Sequence, residues 1–317
     1  MNTAYVKRGL VLITVLILMG SLSCGRGDSD SQSGPTIALV MKTLNNLFFI
    51  DMERGAQAEA KRLNVNLVVQ AAEREVDVEK QMQIIENLIQ RRVDVIIVAP
   101  SGSKEIIPAI VKANKAGIPV LGIDTRIDPA ALKMAGGELA SFIGSDNFEG
   151  GKIAGQHIAE LLDGKGEVAI LEGIPGHETG DERKRGFHEA LAGFPEIKVI
   201  ASLTANWERD QGFNVFQSIL QSHPGVDALF ACNDLMALGA IEAIRAAGRD
   251  RDVIVVGFDA ILDAKNAIKD GSMKASVAQH PDEMGRAAVE IAFKLLNNQE
   301  IPTDFHVNIE LVTIDKL

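Results

Sequence analysis

Residues 93–99 read Val-Asp-Val-Ile-Ile-Val-Ala, and residues 252–258 read Asp-Val-Ile-Val-Val-Gly-Phe. Both runs are short, β-branched and apolar at consecutive positions, as in strands covered by helices on both faces. Similar runs recur outward from them. Before the middle of the chain they fall at Thr36–Val40, Leu67–Gln70, Val93–Ala99, Pro119–Ile123 and Ser141–Gly144. After it they fall at Glu167–Leu171, Val199–Leu203, Ala228–Ala231, Val253–Phe258 and Lys274–Ala278. Helical spacing occupies the intervals: Met52–Leu63, Val78–Arg91, Lys104–Ala116, Lys152–Leu162, Asp181–Ala192, Gln211–Ser222, Met236–Ala247 and Glu283–Leu296. In 78–91, Met82, Ile85, Leu88 and Ile89 make one apolar stripe. Gly117 and Gly248 stand where helices close. Strand–helix alternation predicts an α/β fold with two doubly wound, parallel-sheet lobes and right-handed crossovers. In such sheets ligands sit beyond the carboxyl ends of the strands.

The 317 residues are enough for two domains. With 32 Lys+Arg against 43 Asp+Glu the chain carries −11 at pH 7, which argues against a nucleic-acid partner, because phosphate binding needs a basic face. Cys24 and Cys232 are the only cysteines, too few for a disulfide scaffold or a four-cysteine zinc site. Cys232 reads as a small buried thiol.

Residues 1–24 have their own pattern. Lys7 and Arg8 precede an apolar run from Gly9 to Gly20, and Ser21-Leu22-Ser23 lead to Cys24. This is the layout of a signal peptide, and the run is short for a membrane-spanning helix. The terminal cysteine resembles a bacterial lipoprotein site, with Ser21 where such sites usually carry Leu. Residues 25–34 are polar and Gly/Ser-rich, a flexible tether. The expectation is an extracytoplasmic body, lipid-anchored through Cys24.

The residues after the strands share one kind of chemistry. They include Lys42, Asn46, Phe48 and Phe49; Asp124, Thr125 and Arg126; His177, Asp181 and Arg183; Trp207; Asn233; Asp259; and Gln279. Amides, carboxylates and an arginine pair with hydroxyls, which both donate and accept, and flat aromatic faces receive the C–H face of a sugar ring. No G-x-S-x-G elbow or phosphate-binding G-x-x-x-x-G-K-[ST] loop is present. Gly150-Gly151 reads as close packing. The charged run Glu73-Arg74-Glu75 reads as a solvated face.

Three motifs carry a resemblance: Thr43-Leu-Asn45-Asn46 with Phe48-Phe49, Asn233-Asp234 with Met236-Ala-Leu-Gly239, and Val256-Gly-Phe258-Asp259. Ser145-Asp-Asn147 with Gly150-Gly151-Lys152, and Val277-Ala-Gln279 with Pro281, extend it across the mature chain. Together they resemble the bacterial periplasmic ribose-binding proteins. The resemblance implies a type I periplasmic binding protein fold, with one lobe from 35–145 plus about 280–309 and the other from 146–279 plus about 310–317. Three crossings join the lobes, and closure around a sugar is the working motion.

The same resemblance implies ligand contacts from Asn46, Phe48, Phe49, Asp124, Asn233, Asp259 and Gln279, with Trp207 stacking. Lys42, Thr125, Arg126 and Asp181 are second-rank positions. Thr125 and Asp181 stand where the ribose-binding pattern has arginines. Pro175-Gly176-His177 with Arg183 is similar instead to glucose/galactose-binding proteins and implies ligand roles for His177 and Arg183. The calcium loop of those relatives has no counterpart, so no metal and no cofactor are expected.

These features imply a monomeric, non-enzymatic receptor that delivers a monosaccharide or related polyol to an ABC permease. An alternative is a sensor presenting sugar to a chemoreceptor or sensor kinase. A LacI-type regulator shares the fold but starts with a DNA-binding helix pair and a basic face. A glycosidase needs paired carboxylates at a set spacing, whereas Asp124 and Asp259 fall in separate lobes. Both aspartates, and Asn233, are also residue types favoured as helix caps.

Overall fold

The computed structural model describes residues 34–250 and 252–317. The leader, Cys24 and the tether up to residue 33 lie outside the described residues. Strands β1 (Thr36–Met41), β2 (Asn66–Ala71), β3 (Val95–Val98), β4 (Val120–Ile123) and β5 (Ser141–Gly144) form one sheet in the order β2-β1-β3-β4-β5. Strand β11 (Asp304–His306) adds to the β5 edge, and every pairing is parallel. The second sheet repeats this order with β6 (Lys165–Glu172), β7 (Glu196–Thr204), β8 (Ala228–Ala231), β9 (Ile254–Asp259) and β10 (Ala275–Ala278). Its added edge strand, β12 (Glu310–Thr313), runs antiparallel to β10. The chain thus passes between sheets after β5, after β10 and between β11 and β12. The all-apolar central strands β3, β4 and β8 are buried along their whole length, because helices cover both faces.

The helices are α1 (Leu47–Leu63), α2 (Val78–Gln90), α3 (Ile107–Lys115), α4 (Pro129–Met134), α5 (Asn147–Leu161), α6 (Glu178–Leu191), α7 (Arg209–Ser222), α8 (Asp234–Ala246), α9 (Leu262–Asp270) and α10 (Pro281–Leu296). In α2 the buried stripe is Gln81, Ile84, Ile85 and Leu88, rotated slightly from the Met82-centred stripe that the sequence suggests. Gln81 is fully buried because it splices the next loop to the sheet: its Nε2 donates to Ala99 O at 2.8 Å and its Oε1 accepts from Ser101 N at 2.8 Å. Helices α5 and α6 touch backbone to backbone. A Cβ on Gly151 would lie 2.0 Å from Arg183 O, and one on Gly186 would lie 1.9 Å from Phe148 O. That contact explains Gly151 as a packing residue and fixes the turn of α6 that carries Arg183. Among the described residues no helix is long and apolar enough to cross a membrane, and no cluster of three or more His, Cys, Asp or Glu is arranged to hold a metal ion.

Candidate functional site

The carboxyl ends of strands from both sheets converge on one cavity. The space there is about 290 Å³, counting its opening to solvent. Lys42, Asn46, Phe48, Phe49, Glu75 and Asp124 line it from the first lobe. Thr179, Arg183, Trp207, Asn233, Asp259 and Gln279 line it from the second lobe and the crossing after β10.

In the first lobe Lys42, the residue after β1, is nearly inaccessible and bonds in two directions. Its Nζ lies 2.9 Å from Asp124 Oδ2 and 2.7 Å from Thr125 Oγ1. The Thr125 hydroxyl in turn donates to Asp124 Oδ2 at 3.0 Å. Glu75 Oε2 stands 3.8 Å from the same ammonium, and Asn46 Nδ2 reaches Glu75 Oε1 at 3.4 Å. Asn46 also caps α1, accepting from Phe48 N at 3.0 Å, so the cap orients the first turn. Phe48 and Phe49 sit in that turn, edge to face, with ring centroids 5.2 Å apart. Burial pushes the Glu75 carboxyl above its ordinary value against the pull of Lys42.

In the second lobe Arg183 is 4% exposed. Its Nε donates to Asn147 Oδ1 at 2.9 Å and its Nη1 to Cys232 O at 2.6 Å. The guanidinium lies over the Phe258 ring at 3.8 Å, with Asp259 Oδ1 3.8 Å from Nη1. Gln279 Nε2 donates to that same oxygen at 2.6 Å. Burial raises the Asp259 carboxyl well above its usual range, opposed by Arg183 and reinforced by neighbouring Asp234. Asp234 is itself pushed up to about 7 by burial, although Ser276 Oγ donates to it at 2.7 Å and Ile261 N at 2.9 Å. Asn233 caps α8, accepting from Met236 N at 2.9 Å, and its Nδ2 donates to Trp207 O at 3.1 Å. The indole of Trp207 presses on the chain after β6, where a Cβ on Gly173 would lie 1.9 Å from Cζ2. Asp124, Trp207 and Asp259 all have positive φ, at 66°, 67° and 113°. Such backbone outliers cost about 1–3 kcal/mol each and cluster at functional sites.

The structure brings Asn46, Phe48, Phe49, Asp124, Arg183, Trp207, Asn233, Asp259, Gln279 and the second-rank Lys42 to the cavity. The other positions lie elsewhere. His177 faces the opposite lobe, with Nε2 2.9 Å from Ser101 O. Thr125 lies beneath Lys42 and Asp124. Arg126 turns away to stack on Phe142 at 4.0 Å and to pair with Asp304 at 2.6 Å. Asp181 is exposed on α6. Reading Glu73-Arg74-Glu75 as a solvated face is corrected at Glu75, which is 6% exposed and lines the cavity. Thr179 was also not anticipated. Its position one turn before Arg183 on α6 was the available signal. Cys232 is buried, and desolvation raises its thiol to about 12. Asp124 and Asp259 cap no helix; Asp128 and Ile261 precede α4 and α9.

A family model described as a periplasmic binding protein domain matches residues 37–300. The ribose import binding protein RbsB of Salmonella typhimurium is 38% identical over 306 residues, spanning 96% of this chain and 98% of that protein. A D-ribose/D-allose-binding protein of Pseudomonas aeruginosa is 37% identical over 299 residues, 92% of each chain. Among solved structures, an ABC transporter periplasmic solute-binding protein from Actinobacillus succinogenes with bound D-allose superposes with a TM-score of 0.85 at 43% identity. That match covers 89% of this chain and 98% of the other.

Proposed function

The chain belongs to the periplasmic binding protein family, and on that premise we propose that it is the extracytoplasmic receptor of a sugar ABC importer, capturing an aldose between its lobes. The observation that carries this reading is the composition of the cavity wall: two cations, three carboxylates, three primary amides and three aromatic rings. Hydroxyls of a sugar can donate to Glu75, Asp124 and Asp259 and accept from Lys42, Arg183 and the amides. Phe48, Phe49 and Trp207 supply apolar faces for the ring. Two cations facing three carboxyl groups offer a phosphorylated or carboxylated sugar no unshared positive charge, which favours a neutral polyol.

The relatives named for ribose and allose support an aldose of that configuration. The two sugars share their stereochemistry from C2 to C4 and differ by one carbon. Closure about the three crossings would exclude water from the many directional contacts, and the closed pair of lobes would then present the sugar to a membrane permease. The relatives are binding proteins, and the same reading makes this chain a carrier that releases its sugar unchanged. Its leader pattern and Cys24 support a lipid anchor, with residues 25–34 as spacer. The test is thermal unfolding and calorimetry of the folded, ligand-stripped protein with D-ribose, D-allose, D-glucose and D-galactose. A ligand of the native state at 100 times its Kd adds about 2.7 kcal/mol. A shift with ribose or allose is expected, and no shift with any of the four would overturn the reading.

A further inference from the structure

We propose that His177 is a latch that holds the lobes closed over the sugar, and that it works only as the neutral imidazole protonated on Nε2. The inference rests on the sugar-capture reading. His177 precedes α6 in the second lobe, is 3% exposed and is absent from the cavity wall. Its two ring nitrogens are committed. Nε2 lies 2.9 Å from Ser101 O in the first lobe, and Nδ1 lies 3.4 Å from Trp207 Nε1. A carbonyl only accepts and an indole N–H only donates. Nε2 therefore carries the proton given to Ser101, and Nδ1 offers its lone pair to Trp207.

Both anchors are rigid. Ser101 N is held by Gln81, which also ties Ala99. Trp207 is wedged over Gly173. The same seam carries a second link between the lobes, Glu178 N to Ser103 Oγ at 3.3 Å. One ring system, Trp207, thus faces the ligand on one side and reaches the latch on the other, so a sugar seated against the indole also seats the imidazole against the opposite lobe.

A proton on Nδ1 would oppose the indole N–H and place a cation in the closed seam. Lys42 of the first lobe opposes that charge, while Asp124 and Glu105 of the same lobe favour it. Glu178 and Arg183 follow His177 on α6, and Arg126 of the first lobe lies 3.9 Å from Glu178. Burial, and then Lys42, push the closed-state value down from 6.5 to about 4. With Ser101 withdrawn, water reaches the ring and its ordinary value of roughly 6.5 returns. A base whose value falls on closure makes closure favourable above the open-state value and weaker as pH drops below it. From pH 7.5 to 5.0 one such proton weakens sugar binding about 20- to 30-fold.

Trp207 is the only tryptophan in the chain, so intrinsic fluorescence reports this junction. The experiment titrates wild type, His177→Gln and His177→Phe with D-ribose and D-allose at pH 7.5 and 5.0. The Gln amide can still donate to Ser101 and does not titrate. It is expected to bind several-fold more weakly than wild type at pH 7.5, with less than about a threefold further loss at pH 5.0. His177→Phe is expected to bind weakly at both. An acid loss in His177→Gln equal to that of wild type would overturn the latch, as would wild-type affinity in His177→Phe. If wild type at pH 7.5 binds neither sugar, nor D-glucose nor D-galactose, the sugar reading fails. The latch then falls with it, whereas sugar binding in wild type with an unaltered acid loss in His177→Gln overturns the latch alone.

Discussion

Asp124 follows the fourth strand of its lobe and Asp259 ends the fourth strand of the other, both with positive φ and both facing a single cation across one cavity. Their surroundings differ. In the first lobe Lys42 is 2.9 Å from Asp124, and Thr125 bridges the two by accepting from one and donating to the other. That circuit is complete before any ligand enters. In the second lobe Arg183 gives its best hydrogen bonds to Asn147 and Cys232 and stands 3.8 Å from Asp259, leaving Gln279 as that carboxylate's near donor. Burial accordingly raises the Asp259 carboxyl. An under-satisfied buried acceptor is costly alone and strongly attractive to a donor that completes it. The first lobe is thus a preformed wall, and the second holds the acceptor that a sugar hydroxyl completes.

The largest expected effect tests this division directly. Asp259→Ala should weaken sugar binding by about 100-fold or more, on the scale of 2–5 kcal/mol for truncating one partner of a buried charged pair. Asp124→Ala should cost about tenfold, on the smaller scale of roughly 1.5 kcal/mol for a single hydrogen bond, since Lys42 retains Glu75. Unfolding without ligand should show the reverse order. Asp124→Ala leaves the buried ammonium with only the more distant Glu75, 3.8 Å away, and loses about 2–3 kcal/mol, the scale of a hydrogen bond to a charged group, while Asp259→Ala removes an uncomfortable carboxylate and loses little. Calorimetry and denaturant melts read both. An Asp124 variant that binds worse than the Asp259 variant would break the comparison.

The aromatic walls differ in the same way. Phe48 and Phe49 brace each other in the first turn of α1, whereas Trp207 is braced by an absent side chain at Gly173. Gly173→Ala should displace the indole, costing about 1–3 kcal/mol of stability through overpacking. About a tenfold loss in sugar affinity should accompany it, because one stacking face moves. Wild-type affinity in this variant, measured by the same calorimetry, would mean that the ring is not held from behind.

The strands were legible because their apolar character on both faces leaves few other structures, and all ten sequence-derived runs coincide with strands β1–β10. Several helix starts were read late, though α2 was read at Val78 and α3 early, at Lys104 against Ile107. Helix α1 begins at Leu47 rather than Met52, and α8 at Asp234 rather than Met236. Their first turns carry Phe48, Phe49 and the cap Asn233, whose placement serves the cavity and interrupts the amphipathic period. Helix α4, six residues long, was too short for a periodic signal, and α9, of nine residues with a largely polar sequence, was not read as a helix. Residues immediately after strands, such as Lys42, Asp124 and Gln279, were readable by position. His177 and Arg183 were indistinguishable from spacing alone, because which face of α6 meets the cavity is set by the α5–α6 backbone contact.

Glu75 was illegible for a related reason. An acid between Arg74 and Val76 in a loop looks solvated, and only the approach of Lys42 from β1 shows that it is enclosed. It also gives the smallest expected effect and sharpens the account of the first lobe. Burial raises its carboxyl above the unfolded value, so the group contributes stability below pH 4.5, the unfolded value, and costs stability as pH rises through the folded one. When ionised, its carboxylate has its ammonium 3.8 Å away and shared with Asp124. Glu75→Gln removes that cost while keeping an acceptor for Asn46. Ligand-free Glu75→Gln should melt a few degrees above wild type at pH 8, at about 1.4 kcal/mol per unit by which the carboxyl is raised. The advantage should shrink as pH falls toward 4.5, the unfolded value, where the carboxyl is protonated in the folded protein. A lower melting temperature at pH 8 would mean that Lys42 needs both carboxylates. The first lobe's circuit would then be a three-membered one, with Glu75 as essential to the preformed wall as Asp124.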